Sequence, residues 1–228
     1  MKRSEINHEI REAEAFFRLH KFHLPEFASW TTREWKTRGE EIREIVDCRL
    51  GWDVTDFGRG DFRRQGLLLF TIRNGINNSE KYSKPYAEKI MISRAGQVTL
   101  MHCHETKCED IINRGGGKLI FELYHRKANT TELDNTPVTL VRDGERITLP
   151  AGEKLFLMPG ESITLPPNLF HKFYAETDAD VLIGEVSSVN DDHTDNVFHE
   201  VQLRFPEIEE DEPPYRLMVG DYENFIGR

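Results

Sequence analysis

Gly96-Gln-Val-Thr-Leu-Met-His102-Cys-His104 sets two imidazoles two residues apart, a spacing that puts both side chains on one face of an extended strand. Both rings can then reach a single cation. Glu109 follows five residues after His104, close enough in sequence to return to the same point after one turn. A fourth donor must come from elsewhere, and His171 is best placed. PGESITLPPNLFHKF reads as a strand, a Pro-Pro-Asn turn and a new strand that carries the histidine inward. Three imidazoles and one carboxylate form a borderline-to-hard donor set suited to Mn, Fe, Ni, Co or Zn. An octahedral ion held this way keeps two positions for a substrate with adjacent oxygens. His8, His20, His23, His125, His193 and His199 follow no such spacing and read as ordinary surface or core residues.

Two kinds of element must position these groups. Ile6, Ile10, Ala13, Phe16 and Phe17 recur at helical steps, with Ser4 as the expected N-cap. After Pro25, the run T-T-R-E offers a capping box from Thr31 to Glu34, followed by Trp35, Ile42, Ile45 and Val46. From Asp53 onward, short apolar runs such as LLLFTIRNG, KIMISRAGQVTLMHCH and KLIFELYH alternate with Gly, Pro, Asn and Asp, the texture of a sandwich or barrel. The expected organisation is a helical arm over 1–52 packing on a mainly β barrel over 53–228. The acidic EIEEDEPP reads as an exposed segment, and YRLMVGDYENFIGR as a tail that docks back on the body.

Composition narrows the function classes. The formal charge is −10, from 40 acidic against 30 basic side chains, a field that repels nucleic acid and anionic membranes. No 18-residue apolar run is long enough to span a bilayer, and MKRSEINHEIREAEAFF lacks the apolar core of a secretory signal, so a cytoplasmic protein is expected. Cys48, Cys103 and Cys108 form no CxxC pair and suggest neither a disulfide framework nor a thiolate zinc site. GRGDFRRQGL clusters Arg59, Arg63 and Arg64 but lacks the order of a phosphate loop. Those arginines read as solvated or as contacts to substrate or a second subunit.

The spacing of Gly96, His102, His104, Glu109 and Gly116 resembles the first motif of the cupin superfamily, and Gly160, Pro166 and His171 resemble the second. Two positions depart from that pattern: Asn168 stands where glycine is usual, and Ala175 where asparagine is usual. Asparagine also tolerates positive φ, so the first departure is mild. The resemblance implies a jelly-roll β-barrel with a metal in its mouth.

Beyond the motifs, YAEKIMISRAGQ, HxHxxKxEDIINRGGG and GEVSSVNDDHTDNVF resemble the D-lyxose isomerase family over most of the chain. The resemblance implies reversible conversion of D-lyxose to D-xylulose, and of D-mannose to D-fructose, with Mn2+ as the favoured metal. In such chemistry a cation stabilises enediolate character on O1 and O2, a carboxylate moves the C2 proton to C1, and a lysine or water moves protons between the oxygens. Glu185 is the leading base: a hairpin of HKFYAE with DVLIGEV sets it opposite His171, at the end of the row Val181, Ile183 and Glu185. An apolar wall there raises its pKa. Lys89 is the leading cation, because a hairpin at Ala95-Gly96 sets it opposite His102; a three-residue loop would substitute Glu88. Lys107 is a second cation candidate, and Asp191, Asp192, Asp195 and Asn196 read either as sugar contacts or as an Asx-rich turn. The competing functions are an Fe-dependent cupin dioxygenase and a non-catalytic sugar-binding cupin. Cupins commonly pair through strand edges or N-terminal segments, so a homodimer is expected.

Overall fold

The computed structural model describes residues 1–205 and 207–226. The chain opens with α1 (Arg3–Leu19), α2 (Thr32–Trp35) and α3 (Arg43–Asp47), with 3-10 turns at Glu26–Ser29 and Glu40–Ile42. Thr31 and Glu34 form the expected capping box at α2. The expected cap at α1 is corrected: Lys2 precedes the helix, and Ser4 lies inside its first turn, where its hydroxyl donates to Asp211 Oδ2 at 2.7 Å.

Strands follow as β1 (Gly51–Thr55), β2 (Leu67–Arg73), β3 (Tyr86–Ser93), β4 (Val98–His104), β5 (Glu109–Gly116), β6 (Leu119–Arg126) and β7 (Leu133–Asp134). The remainder are β8 (Val138–Arg142), β9 (Glu145–Leu149), β10 (Lys154–Leu157), β11 (Ser162–Leu165), β12 (Leu169–Ala175), β13 (Val181–Ser188) and β14 (Asn196–Phe198), before a short α4 (Tyr222–Phe225). They form two antiparallel sheets. One runs β1-β2-β3-β13-β5-β11-β8-β9, the other β10-β6-β12-β4-β14, with β7 beside β6. The inner faces meet over Leu69, Met91, Phe121, Phe173, Val181 and Ile183. This is the jelly-roll barrel expected from the motifs.

Alternation along β3 and β13 explains the layering. Met91, Val181 and Ile183 face the barrel interior, while Ile90, Ile92 and Leu182 face outward beneath α1. Ile6, Ile10, Ala13 and Phe17 of α1 cover that outer face with Trp52 and Phe70. Full burial of each large apolar side chain is worth about 1.5–3 kcal/mol. The expected boundary at 52/53 falls inside β1, which pairs with β2 at the sheet edge.

The two chain ends lock together over this face. Arg3 is 1% exposed and donates to Asp221 Oδ1 at 2.8 Å and Glu210 Oε1 at 2.6 Å. Asn7 Nδ2 donates to Glu212 Oε1 at 2.6 Å. The acidic segment is therefore a partner for α1, and Leu217, Val219 and Tyr222 dock against Trp30 and Trp35 as the sequence suggested. Arg3→Met should destabilise the fold by about 3–5 kcal/mol, because Asp221 is left buried without its cation. Urea denaturation checks this; an unchanged midpoint would show that the clamp contributes nothing.

Candidate metal centre and active site

The barrel mouth collects the groups singled out in the sequence. His102 pairs with His171 across β4 and β12. A bulge between them and the Thr99–Phe173 pair shifts the alternation of β4, so that Thr99, His102 and His104 all line one cavity. His102, His104 and His171 form a group that could hold a metal, their ligand nitrogens lying within 4.8 Å of one another. His102 Nδ1 stands 2.7 Å from the Leu100 carbonyl and His171 Nδ1 stands 3.0 Å from that of Leu169. A carbonyl only accepts, so each Nδ1 carries the proton and leaves a free Nε2 lone pair. Burial, followed by the neighbouring rings, holds His102 well below the ordinary imidazole range. Burial likewise brings His171 down to about 4, so both rings are neutral near pH 7.

Glu109, the fourth donor expected from the sequence, stands beside a group that holds the three histidines alone. Its Oε1 lies 3.4 Å from His104 Nε2 and 3.2 Å from His171 Nε2, yet this buried oxygen has no hydrogen-bond partner among the described residues. A bare carboxylate oxygen amid imidazole lone pairs is costly unless a cation satisfies it, so the residues fit a divalent ion. The other oxygen, Oε2, receives Lys107 Nζ at 2.7 Å. Burial pushes the Glu109 carboxyl upward, but Lys107 and His104 outweigh it and hold the group well below the carboxylate range.

Glu185 stands on β13, in the same sheet as Glu109 and opposite the histidines, 4% exposed, with Oε1 3.0 Å from Lys107 Nζ and 3.2 Å from Lys89 Nζ. Lys89 also donates to Asn190 Oδ1 at 2.6 Å. Glu185, Lys89 and Lys107 therefore share the cavity with the histidines, whereas Glu88 turns away to Arg73 at 2.9 Å. Three steps of the sequence reasoning are corrected. β12 and β13 are not a hairpin: His171 faces His102 and Leu123, while Glu185 faces Lys89 and Ile111. β3 and β4 likewise lie in different sheets, so Lys89 is not opposite His102. The expected rise in the Glu185 pKa is also reversed, since burial raises it but Lys107 and Lys89 together pull it below the ordinary value.

The polar loop divides in its contacts. Asp192 and Asn196 line the cavity. Asp191 caps its own turn through His193 N–H at 3.0 Å and the Thr194 hydroxyl at 2.6 Å, and Asp195 bonds the turn that carries Lys107. Arg59 pairs with Glu200 and Arg63 with Glu9, and none of Arg59, Arg63 and Arg64 lines the cavity. Sequence reasoning missed Arg204, which lines the cavity while its Nη2 bonds Asp53 at 2.6 Å and Asp192 at 3.3 Å. It also missed Phe57 and Phe198. These residues belong to irregular segments or a short edge strand, where no periodicity or motif marks a site.

Facing antiparallel sheets with a three-histidine group at the mouth make this a cupin-class barrel. The chain belongs to the D-lyxose isomerase family, whose family model matches residues 1–222, and is thereby an aldose-ketose isomerase. It is 49% identical to the D-lyxose/D-mannose isomerase of Serratia proteamaculans over 229 residues, covering 99% of this chain and 100% of that one. It is likewise 49% identical over 227 residues to the protein of the same name from Escherichia coli O157:H7, with coverage of 99% and 100%. Among solved structures, the L-ribose isomerase of Cellulomonas parahominis superposes with a TM-score of 0.58 at 15% identity, covering 92% of this chain and 98% of that chain. That likeness is one of fold.

His102→Ala and His171→Ala should each lower divalent metal retained after dialysis, measured by elemental analysis. Full occupancy in either variant would remove that ring from the donor set.

Proposed function

We propose that the chain interconverts D-lyxose with D-xylulose, and D-mannose with D-fructose, by proton transfer between C2 and C1. The observation that carries this reading is the placement of a buried carboxylate, Glu185, in one cavity with the three histidines and Glu109. The relatives named for D-lyxose and D-mannose support the choice of sugars. His102, His104, Glu109 and His171 would hold the ion, which is Mn2+ on this reading. Bound there, a divalent ion supplies Lewis-acid stabilisation of negative charge on adjacent sugar oxygens.

The chain's own groups do the rest. Glu185 is ionised at neutral pH and takes the C2 proton, then returns it to C1, while Lys107 or water carries the O2 hydroxyl proton to O1. Lys107 and Lys89 hold the carboxylate in place and damp its basicity in the resting site. As charge grows on O1 and O2, the Lys107 ammonium, less than 4 Å from Glu185, turns its protons toward those oxygens. Glu185 then loses part of its countercharge and becomes a stronger base when it must accept the proton. The cavity lining carries three cations, Lys89, Lys107 and Arg204, against three carboxylates, Glu109, Glu185 and Asp192. An added dication therefore makes the site net positive, complementary to an anionic transition state.

Among the described residues no helix is long and apolar enough to cross a membrane. Together with the acidic surface and free cysteines, this supports a cytoplasmic setting. The edge position of β14 and the uncovered Val201 and Leu203 support a homodimer.

Purified protein with Mn2+ should form ketose from D-lyxose and D-mannose; no ketose from either sugar sinks the substrate assignment. Glu185→Gln should lower turnover by about 100- to 10,000-fold, the usual worth of a general base. Its metal content should stay near wild type, while its urea midpoint should fall, because buried Lys89 and Lys107 lose a counter-charge. Unchanged turnover would remove Glu185 from the base role.

A further inference from the structure

His104 is held differently from the other two histidines. The rings of His102 and His171 are set by backbone carbonyls two residues earlier. His104 is the last residue of β4, and the group facing its Nδ1 is a carboxylate, Asp195 Oδ2, at 3.5 Å. The register explains the placement: Asn196 pairs with His104, which sets the preceding side chain beside the ring.

The same carboxylate is 6% exposed and organises the turn between the two halves of the donor set. Asp195 Oδ1 accepts from the Thr106 N–H and from its hydroxyl, each at 2.7 Å, and Oδ2 accepts from the Lys107 N–H at 3.1 Å. The Asp195 carbonyl accepts from the Glu105 N–H at 3.0 Å. Lys107 then reaches Glu109 and Glu185 from this turn. One side chain thus touches both the ring of a histidine in the donor set and the backbone that delivers the cation.

We propose that Asp195 is a positioning residue that holds His104 with Nε2 directed into the cavity and couples this orientation to the placement of Lys107. The proposal rests on the metal reading above. A carboxylate behind an imidazole fixes which nitrogen carries the proton, orients the ring and raises its basicity toward a metal. An asparagine keeps one acceptor oxygen for Thr106. Its NH2 group, however, can accept from neither the Nδ1–H nor the Lys107 N–H.

Mn2+ titrated into metal-stripped protein, with free Mn2+ read by electron paramagnetic resonance, tests the idea on wild type, Asp195→Asn and Thr106→Ala. Asp195→Asn should bind Mn2+ about 10- to 100-fold more weakly, the usual cost of losing such a carboxylate. Its Co2+ complex should show shifted visible bands. Thr106→Ala loosens the turn but keeps the carboxylate behind His104, and should bind Mn2+ nearly as wild type does. Wild-type affinity in Asp195→Asn overturns the proposal. So does a Thr106→Ala variant weakened as much as Asp195→Asn, because the turn alone would then account for the loss. If circular dichroism shows Asp195→Asn unfolded, Asp195→Ser is read with the same two outcomes. A wild-type protein that takes up neither Mn2+ nor Co2+ overturns the metal reading itself, and this proposal with it.

Discussion

The Lys107 ammonium, buried between Glu109 at 2.7 Å and Glu185 at 3.0 Å, joins the two halves of the site. Glu109 sits at the start of β5 beside the histidines, and Glu185 near the end of β13, so one side chain ties the donor set to the proposed base. Removing such charges from water costs several kcal/mol per ion, and a well-packed apolar replacement is often more stable by about 1–4 kcal/mol. On the reading proposed here, the cluster serves chemistry at the expense of stability. The surrounding architecture makes it tolerable: each charge has a partner, except for the Glu109 oxygen turned toward the imidazoles.

The three histidines stand on the smaller sheet and Lys89, Glu109 and Glu185 on the larger, so the whole site needs both sheets at a fixed separation. The core of Phe121, Phe173, Val181 and Ile183 sets the spacing beneath the site. α1 and the C-terminal segment brace the outer face of the larger sheet, where Leu182, Ile90 and Ile92 are buried opposite the cavity side of the same strands. The chain ends are therefore far from the chemistry in sequence but act on the strands that carry Lys89 and Glu185. The mouth is closed by the irregular segment that brings Asn190, Asp192 and Arg204 over the cavity, where Asn190 accepts from Lys89 and donates to Asp192 at 3.0 Å.

Much of this was legible in the sequence wherever the signal is local. The spacing of His102, His104 and Glu109 survives any arrangement of the remaining strands, and the Thr31–Glu34 capping box closes on itself. Asn168 has φ of 61°, the conformation that explains why asparagine can replace a glycine there. Gly116 has φ of +94°, and a side chain on it would meet the Asp180 carbonyl, which accounts for the glycine that ends the first motif. The inward face of β13 was also readable from its alternation. Strand partners were not. The Ala95-Gly96 turn does close locally, with the Gln97 N–H donating to the Arg94 carbonyl at 2.9 Å, but the chain uses it to cross from one sheet to the other. The corner after Ala175 does the same, and Arg94 joins both corners through Asp180 at 2.8 Å. A turn looks alike whether its arms pair with each other or with distant strands, so sequence reasoning picked residues that share one cavity and missed their neighbours. The sign of the Glu185 pKa shift failed for the same reason, since it depends on two lysines brought from separate strands.

The most direct test of the central claim is a crystal structure of the Mn2+-loaded protein with a bound ketose, D-xylulose or D-fructose. The account predicts one ion held by His102, His104, Glu109 and His171, with a Glu185 oxygen about 3–3.5 Å from both C1 and C2, the separation of a reactive pose. An ion bound elsewhere, or a Glu185 carboxylate out of reach of both carbons while another group stands beside them, would contradict it.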